Sequence, residues 1–267
     1  MSRPTWVFSP LEFSVLWQAF DRDVLPYPLQ YRSTEDTQDA YEQAWKTAAA
    51  AVHDRFDEDL YAALRLLVQP EARIEVAGFA AAAPTPPSGR GAPDRRVRAH
   101  AAISYQHAVL LTQQPTADAD RGGQVRMELL NAAAVPARIA AGLPVCDRGT
   151  GTGIAVNRND LDDDDRPLAA YSDASNRSPR EQAGRFFNRP RTTVVHIAAH
   201  AGPDDETRAG FRDFHVLDYP EGRYIARTLR HELRVDPAGT TDIENLTQRI
   251  LDATLRDYRE ENDPTYA

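Results

Sequence analysis

Cysteine is almost absent from this chain. Cys146 is the only one, so no internal disulfide forms and no oxidising compartment is called for. Lysine is nearly as scarce. Lys46 stands alone among 31 basic residues, the rest being arginine, a bias that reads as genome composition and not as chemistry. Positive charge is also outweighed, with 40 acids giving a formal net charge of −9. A chain of that sign repels polyanions, which argues against nucleic acid or an anionic membrane surface as partner. No apolar run approaches the roughly 18 residues needed to span a bilayer. Residues 1–8 lack the basic and apolar regions of a signal peptide, so the expected location is the cytoplasm. What remains is a folding composition: 42% hydrophobic and 27% charged residues over 267 positions, enough to bury a sizeable core.

The punctuation of the chain predicts its elements. Ser9-Pro10-Leu11-Glu12 places an N-cap serine, a proline at the first helical position and a glutamate three residues on, the pattern of a capping box. Phe13, Leu16, Trp17 and Phe20 then recur at helical spacing as one apolar stripe. Leu25-Pro26-Tyr27-Pro28-Leu29 is extended, because residues before proline avoid the helical region. A second helical region runs from about Ser33 to Val68 with a break at 54–57, and Pro70 closes it. From Arg73 to Phe79 the period changes to two, which indicates a half-buried strand. Residues 80–96, with four prolines, read as a long loop. Strands are expected at 97–104, 107–112 and 123–130, and a helix at 132–141 with Gly142 as its C-cap.

Residues 145–177 are rich in Gly, Asp, Asn and Arg and read as an acidic linker between an N-terminal half (1–144) and a C-terminal half (178–267). Ser178-Pro179-Arg180-Glu181 repeats the capping logic and opens a short helix to Phe187. Strands are expected at 192–201, 211–219 and 223–230, the last two joined by a turn at Pro220-Glu221-Gly222. A final amphipathic helix, 241–260, is capped by Thr240 or Thr241. Both halves thus share the plan helix, antiparallel strands, helix. Strands in runs, without strict βαβ alternation, indicate an α+β class with a largely antiparallel sheet and quasi-two-fold halves.

Motifs for chemistry are weak. Arg148 to Gly153 alternates glycine as phosphate loops do, but lacks a flanking strand and helix and the following Lys-Ser/Thr. His196 and His200 have the spacing of two metal ligands, without the glutamate of a zinc-protease helix; they support an alternative reading as a metal-dependent enzyme. The acidic run 160–165 lacks the glycine and terminal glutamate of a calcium loop. Arg185-Phe186-Phe187-Asn188-Arg189 offers rings and cations, and a regulatory DNA-binding protein is a further alternative. The acidic net charge opposes it, and its arginines are expected instead to answer neighbouring carboxylates or helix C-terminal carbonyls.

Two stretches carry a resemblance. Phe8-Ser9-Pro10-Leu11-Glu12-Phe13-Ser14-Val15-Leu16-Trp17 followed by Leu25-Pro26-Tyr27-Pro28-Leu29 is the first. Arg185-Phe186-Phe187-Asn188-Arg189-Pro190-Arg191-Thr192 followed by Asp218-Tyr219-Pro220-Glu221-Gly222-Arg223-Tyr224 is the second. Together they resemble the EspG family of ESX (type VII) secretion chaperones. The resemblance implies a central antiparallel sheet, two helical bundles and quasi-two-fold symmetry. It also implies a non-enzymatic role without cofactor or metal: binding the helical tip of a PPE-like protein in a PE–PPE-type secreted heterodimer, keeping it soluble, and delivering it by transient contact with the secretion machinery. The charge and hydropathy described above add that neither nucleic acid nor membrane insertion is expected. On that resemblance the client groove is placed between the second set of strands and the terminal helix, with Phe214, Tyr219, Tyr224, Leu246 and Ile250 as wall or rim. Tyr219 and Tyr224, flanking a turn, are expected to be partly exposed, and the 80–96 loop is a second candidate contact.

Overall fold

The computed structural model describes residues 4–85, 95–159, 178–203 and 212–262. One sheet of ten strands organises them, in the order β1-β5-β4-β3-β2-β7-β8-β9-β10-β6, with every ladder antiparallel. The strands are β1 (Thr5–Phe8), β2 (Ala72–Thr85), β3 (Arg95–Ser104), β4 (His107–Pro115), β5 (Gly122–Asn131), β6 (Ile154–Asn157), β7 (Arg191–Ala201), β8 (Arg212–Tyr219), β9 (Gly222–Thr228) and β10 (Glu232–Pro237). The helices are α1 (Pro10–Gln18), α2 (Gln38–His53), α3 (Glu58–Val68), α4 (Val135–Gly142), α5 (Pro179–Phe187) and α6 (Thr240–Asn262).

The order exposes the symmetry. Two four-stranded meanders, β2 to β5 and β7 to β10, run outward from the central β2/β7 pair, and each is closed by an edge strand that precedes it in sequence. Each half therefore reads edge strand, helix, four strands, helix. Over the plan predicted from the sequence, the N-terminal half gains the edge strand β1, and the C-terminal half gains β10 and the edge strand β6.

Alternation assigns the faces. On one face α4 and α6 pack over Ile74, Val76, Ala101, Ile103, Leu110, Val195, Ile197, Phe214, Val216 and Ile225. On the other, α1 and α3 cover Ala102, Val109, Leu111, Val125 and Met127, and α5 covers Leu217, Tyr224, Ala226 and Val235 through Phe186. The helices meet over the two-fold centre on the first face and stand apart on the second.

Local chemistry starts these helices where the sequence places them. The Ser9 Oγ accepts from the Glu12 N–H at 3.1 Å, and the Glu12 carboxylate accepts from the Ser9 N–H at 2.7 Å, so two otherwise orphaned donors are satisfied. Thr37, Asp57 and Ser178 cap α2, α3 and α5 through the first of these bonds alone, their side chains accepting from the N–H groups of Ala40, Leu60 and Glu181.

Several boundaries differ. β2 continues to Thr85 and β3 begins at Arg95, so both ends of the expected 80–96 loop are strand, and residues 86–94 lie outside the described residues. The alanines of 80–83 are poor strand formers, yet pairing with β7, resumed at Thr85↔Arg191 beyond a register shift, holds them extended. Gly142 closes α4 as a helical residue, and Leu143 is the C-cap. The 145–177 segment is not all linker, since β6 lies within it and pairs with β10; the acidic run 160–165 falls outside the described residues. Thr240 lies inside α6, whose start is tied by the Asp242 carboxylate accepting from the Gly239 N–H at 2.8 Å. Strands β1 and β10 were not expected.

Candidate functional site

The Asp218–Gly222–Arg223–Tyr224 motif builds the β8–β9 hairpin and its surroundings. Arg223 and Asp218, each 1% exposed, form a bidentate ion pair, Nε to Oδ1 at 2.6 Å and Nη2 to Oδ2 at 2.8 Å. Arg223 Nη2 also donates to the Pro144 carbonyl at 2.6 Å. The backbone of Arg223 receives the incoming chain: its N–H donates to the Asp147 carbonyl, and its carbonyl accepts from Gly149 and Ala238. Gly222 has φ +120°, and an added Cβ would lie 2.6 Å from the Arg148 carbonyl oxygen, so only glycine fits this turn. The glycine-rich 148–153 segment is thus packed against the hairpin and is no phosphate cradle. Gly151 donates to the Tyr224 hydroxyl at 2.9 Å.

The arginine–phenylalanine motif is equally architectural. Phe186 stands edge-on to both Tyr219 and Tyr224, with ring centroids 5.1 and 5.3 Å away. The Arg189 guanidinium lies over Phe186 and Tyr219 at 4.2 and 4.1 Å, pairs with Glu221, and its Nε donates to the Phe186 carbonyl. Of the rings that suggested base stacking, Phe186 is inside the protein and Phe187 is half-buried against the same cluster, and Arg189 answers a carboxylate and a helix C-terminal carbonyl as expected.

The five groove residues do not form one wall. Phe214, Leu246 and Ile250 belong to the core under α6, while Tyr219 and Tyr224 lie on the opposite face under α5. Both tyrosines are buried, at 3% and 1% exposed, which corrects the expectation of partial exposure: α5 closes over the turn-flanking rings. A groove of about 470 Å³ does run between β9–β10 and the start of α6. Of the five, only Leu246 lines it. Ile225, Leu246 and Ala238 form its apolar part, Arg148, Arg227, Arg234 and Arg249 its cationic part, and Asp236 and Asp242 partly neutralise these.

A second feature occupies the face that the helices leave open at the centre. There β2, β3, β7 and β8 present Arg73, Glu75, His100, His196, His200, Asp213 and His215. His196 and His200 do not converge: four residues along a strand separate them by roughly 13 Å. His200 instead faces Glu75 at 3.2 Å, and Glu75 also accepts from Arg73 at 3.0 Å. Burial works to raise the Glu75 carboxyl, but the His200 and Arg73 hydrogen bonds outweigh it and hold the group below the usual carboxylate range. His100, buried beside this pair, donates from Nδ1 to the Tyr27 carbonyl at 2.8 Å, and burial keeps its pKa below the ordinary histidine value. Above them a cavity of about 400 Å³ is bounded by Trp17, Val24 and Tyr27.

His196 belongs to another group, with its Nε2 2.7 Å from Asp213 Oδ2 and its ring stacked on His215 at 4.6 Å. Asp213 and His215 carry no sequence motif. Only the register that sets His196 opposite His215 reveals them. The Cys146 thiol is pushed up to about 11 by burial and by the neighbouring Asp218 carboxylate, which disfavours the nucleophilic thiolate. No helix among the described residues is long and apolar enough to cross a membrane.

No curated protein sequence matches the chain. A solved structure does: the Mycobacterium tuberculosis type VII secretion system chaperone EspG5, determined in complex with a PE25-PPE41 dimer, aligns over 94% of this chain and 96% of its own with a TM-score of 0.59 at 15% identity. The model of the EspG family matches residues 9–248, a span that contains both motifs except Phe8, and all ten strands but the edge strand β1, and on that match the chain belongs to the EspG family.

Proposed function

We propose that the protein is a cytoplasmic, non-enzymatic chaperone of a type VII secretion system that holds the helical tip of a PPE-like protein in a PE–PPE-type heterodimer before export. The observation that carries this reading is the end-to-end likeness to EspG5, a chaperone solved with such a dimer, joined to the family match. The groove between β9–β10 and α6 suits the task. It offers a small apolar floor for the hydrophobic end of a helical hairpin and a rim of charged side chains for its polar flanks. Leu246 lies in the floor; Phe214 and Ile250 back it from the core, and Tyr219 and Tyr224 brace the hairpin from the opposite face. The test is co-expression with PE–PPE-type pairs followed by size-exclusion chromatography. A stable ternary complex is expected, and failure to co-elute with any such pair would remove the chaperone reading while leaving the fold untouched.

A further inference from the structure

We propose that His196, Asp213 and His215 form a binding site for one divalent transition-metal ion of borderline softness, zinc being the type. This goes beyond the chaperone reading and does not depend on it. The three side chains come from adjacent strands and stand on the open face, where β7 and β8 place His196 and His215 directly opposite one another. Their donor atoms all lie within 4.8 Å of one another.

The strand neighbours in the same row are small. Along the same row, His196 is flanked on β2 by Ala77 and His215 on β9 by Ala226, while Asp213 faces Ala198. Three methyl groups therefore border the cluster, and none of them offers a competing polar atom. His196 and Asp213 are half-buried and His215 is exposed, so an ion reaches the donors from solvent without opening the core.

Zinc binds imidazole nitrogen at about 2.0–2.1 Å and carboxylate oxygen at about 2.0–2.2 Å, which in a tetrahedron sets neighbouring donors roughly 3.3 Å apart. His196 and Asp213 are closer than that, at 2.7 Å, because they share a proton; an ion takes the proton's place and the pair opens slightly. His215 closes the remaining gap by rotating its exposed ring, with no change in the strands. Two imidazoles and one carboxylate match the ligand preferences of zinc and its neighbours and mismatch those of magnesium and calcium, which take oxygen. Three protein ligands leave a fourth position for water or for a donor from a bound partner. This ligand set shares only His196 with the pair suggested by spacing in the sequence.

Untagged, chelator-stripped protein titrated with zinc chloride in a calorimeter tests the proposal. One equivalent should bind, and cobalt(II) in its place should develop the visible absorption of a tetrahedral nitrogen–oxygen site. His215→Ala, an exposed position that leaves the core intact, should weaken zinc binding by about 100-fold or more, and Asp213→Asn should weaken it as well. His200→Gln, which alters the neighbouring Glu75 pair, should bind as the parent does. No stoichiometric binding by the folded parent, or binding that survives His215→Ala, overturns the assignment. Loss of binding only in His200→Gln overturns it also and assigns the ion to the other histidine.

Discussion

Asp218 and Arg223 grip each other through two hydrogen bonds of 2.6 and 2.8 Å inside the C-terminal half, and the chain leaving α4 is fastened to the same arginine through Pro144. A buried pair of this kind gains little over an apolar replacement, but removing one partner strands the other charge in a low-dielectric interior. Asp218→Asn is therefore expected to destabilise the protein by about 3–5 kcal/mol, read as a lower denaturant midpoint. Asp218→Glu, which keeps the charge, should lose less. Equal losses for the two would show that shape and not charge governs the position.

Phe186 links α5 to the sheet through Tyr219 and Tyr224, and Arg189 caps its face. Phe186→Ala should cost about 3–5 kcal/mol, the lost transfer energy plus the cavity left under α5. Arg189→Ala should cost about 0.5–2 kcal/mol, since it removes a cation–π contact and an accessible ion pair while leaving the ring buried. Urea unfolding of both variants checks the ranking. A larger loss for Arg189→Ala would mean that the cation, not the ring, holds α5 in place.

How much of this was legible beforehand follows from the range of the signals. Capping boxes act over four residues, so Ser9 and Ser178 announced their helices directly. Alternation announced the inner strands, whose faces bury different residues. The outermost strands of the C-terminal half escaped because they are short and carry little apolar pattern: β10 reads Glu-Leu-Arg-Val-Asp-Pro, and the edge strand β6 hides behind Gly149, Gly151 and Gly153. Short and charged edges also discourage pairing with other chains. The burial of Tyr219 and Tyr224 was not legible, since nothing local to the turn tells that α5, more than thirty positions upstream of Tyr219 in the chain, lies over it. Asp213 and His215 were silent for the same reason: their meaning lies in the register between β7 and β8.

The buried polar group around Glu75 gives stability a pH dependence. Burial holds the His100 pKa below its ordinary value, against the opposing pull of the Tyr27 carbonyl and of Glu75. The unfolded chain takes up this proton at about pH 6.5, and the folded chain does so only at lower pH. The unfolded state then binds more protons in that window, so stability falls as pH drops below about 6.5. Glu75, held low by His200 and Arg73 after burial is overcome, adds stability that is present above about pH 4.5 and is lost as pH falls through its lowered value. A thermal-melting series should show the melting temperature declining on acidification in these two windows, and His100→Gln should flatten the upper one. An unchanged slope in that variant would reassign the upper window to another histidine.

In the groove beside α6, Arg234 and Arg249 are both exposed, whereas Leu246 is buried in the floor. Surface charge reversals away from a core change stability by no more than about 0.5 kcal/mol, so Arg234→Glu and Arg249→Glu should fold as the parent does. If the groove seats the polar flank of a helical tip, each reversal places repulsion or an unpaired charge at the rim of the complex. A loss of about tenfold in affinity per site, mostly through slower association, is then expected. Leu246→Asp attacks the floor and should abolish the complex, but it also burdens the core that Leu246 shares with Ile243 and Ile250, so its thermal stability must be measured alongside. The decisive readout is the association rate of the two arginine variants with a PE–PPE-type heterodimer at low and high salt. Rates that match the parent at low salt would move the client surface away from this groove and towards the open histidine-bearing face of β7 and β8.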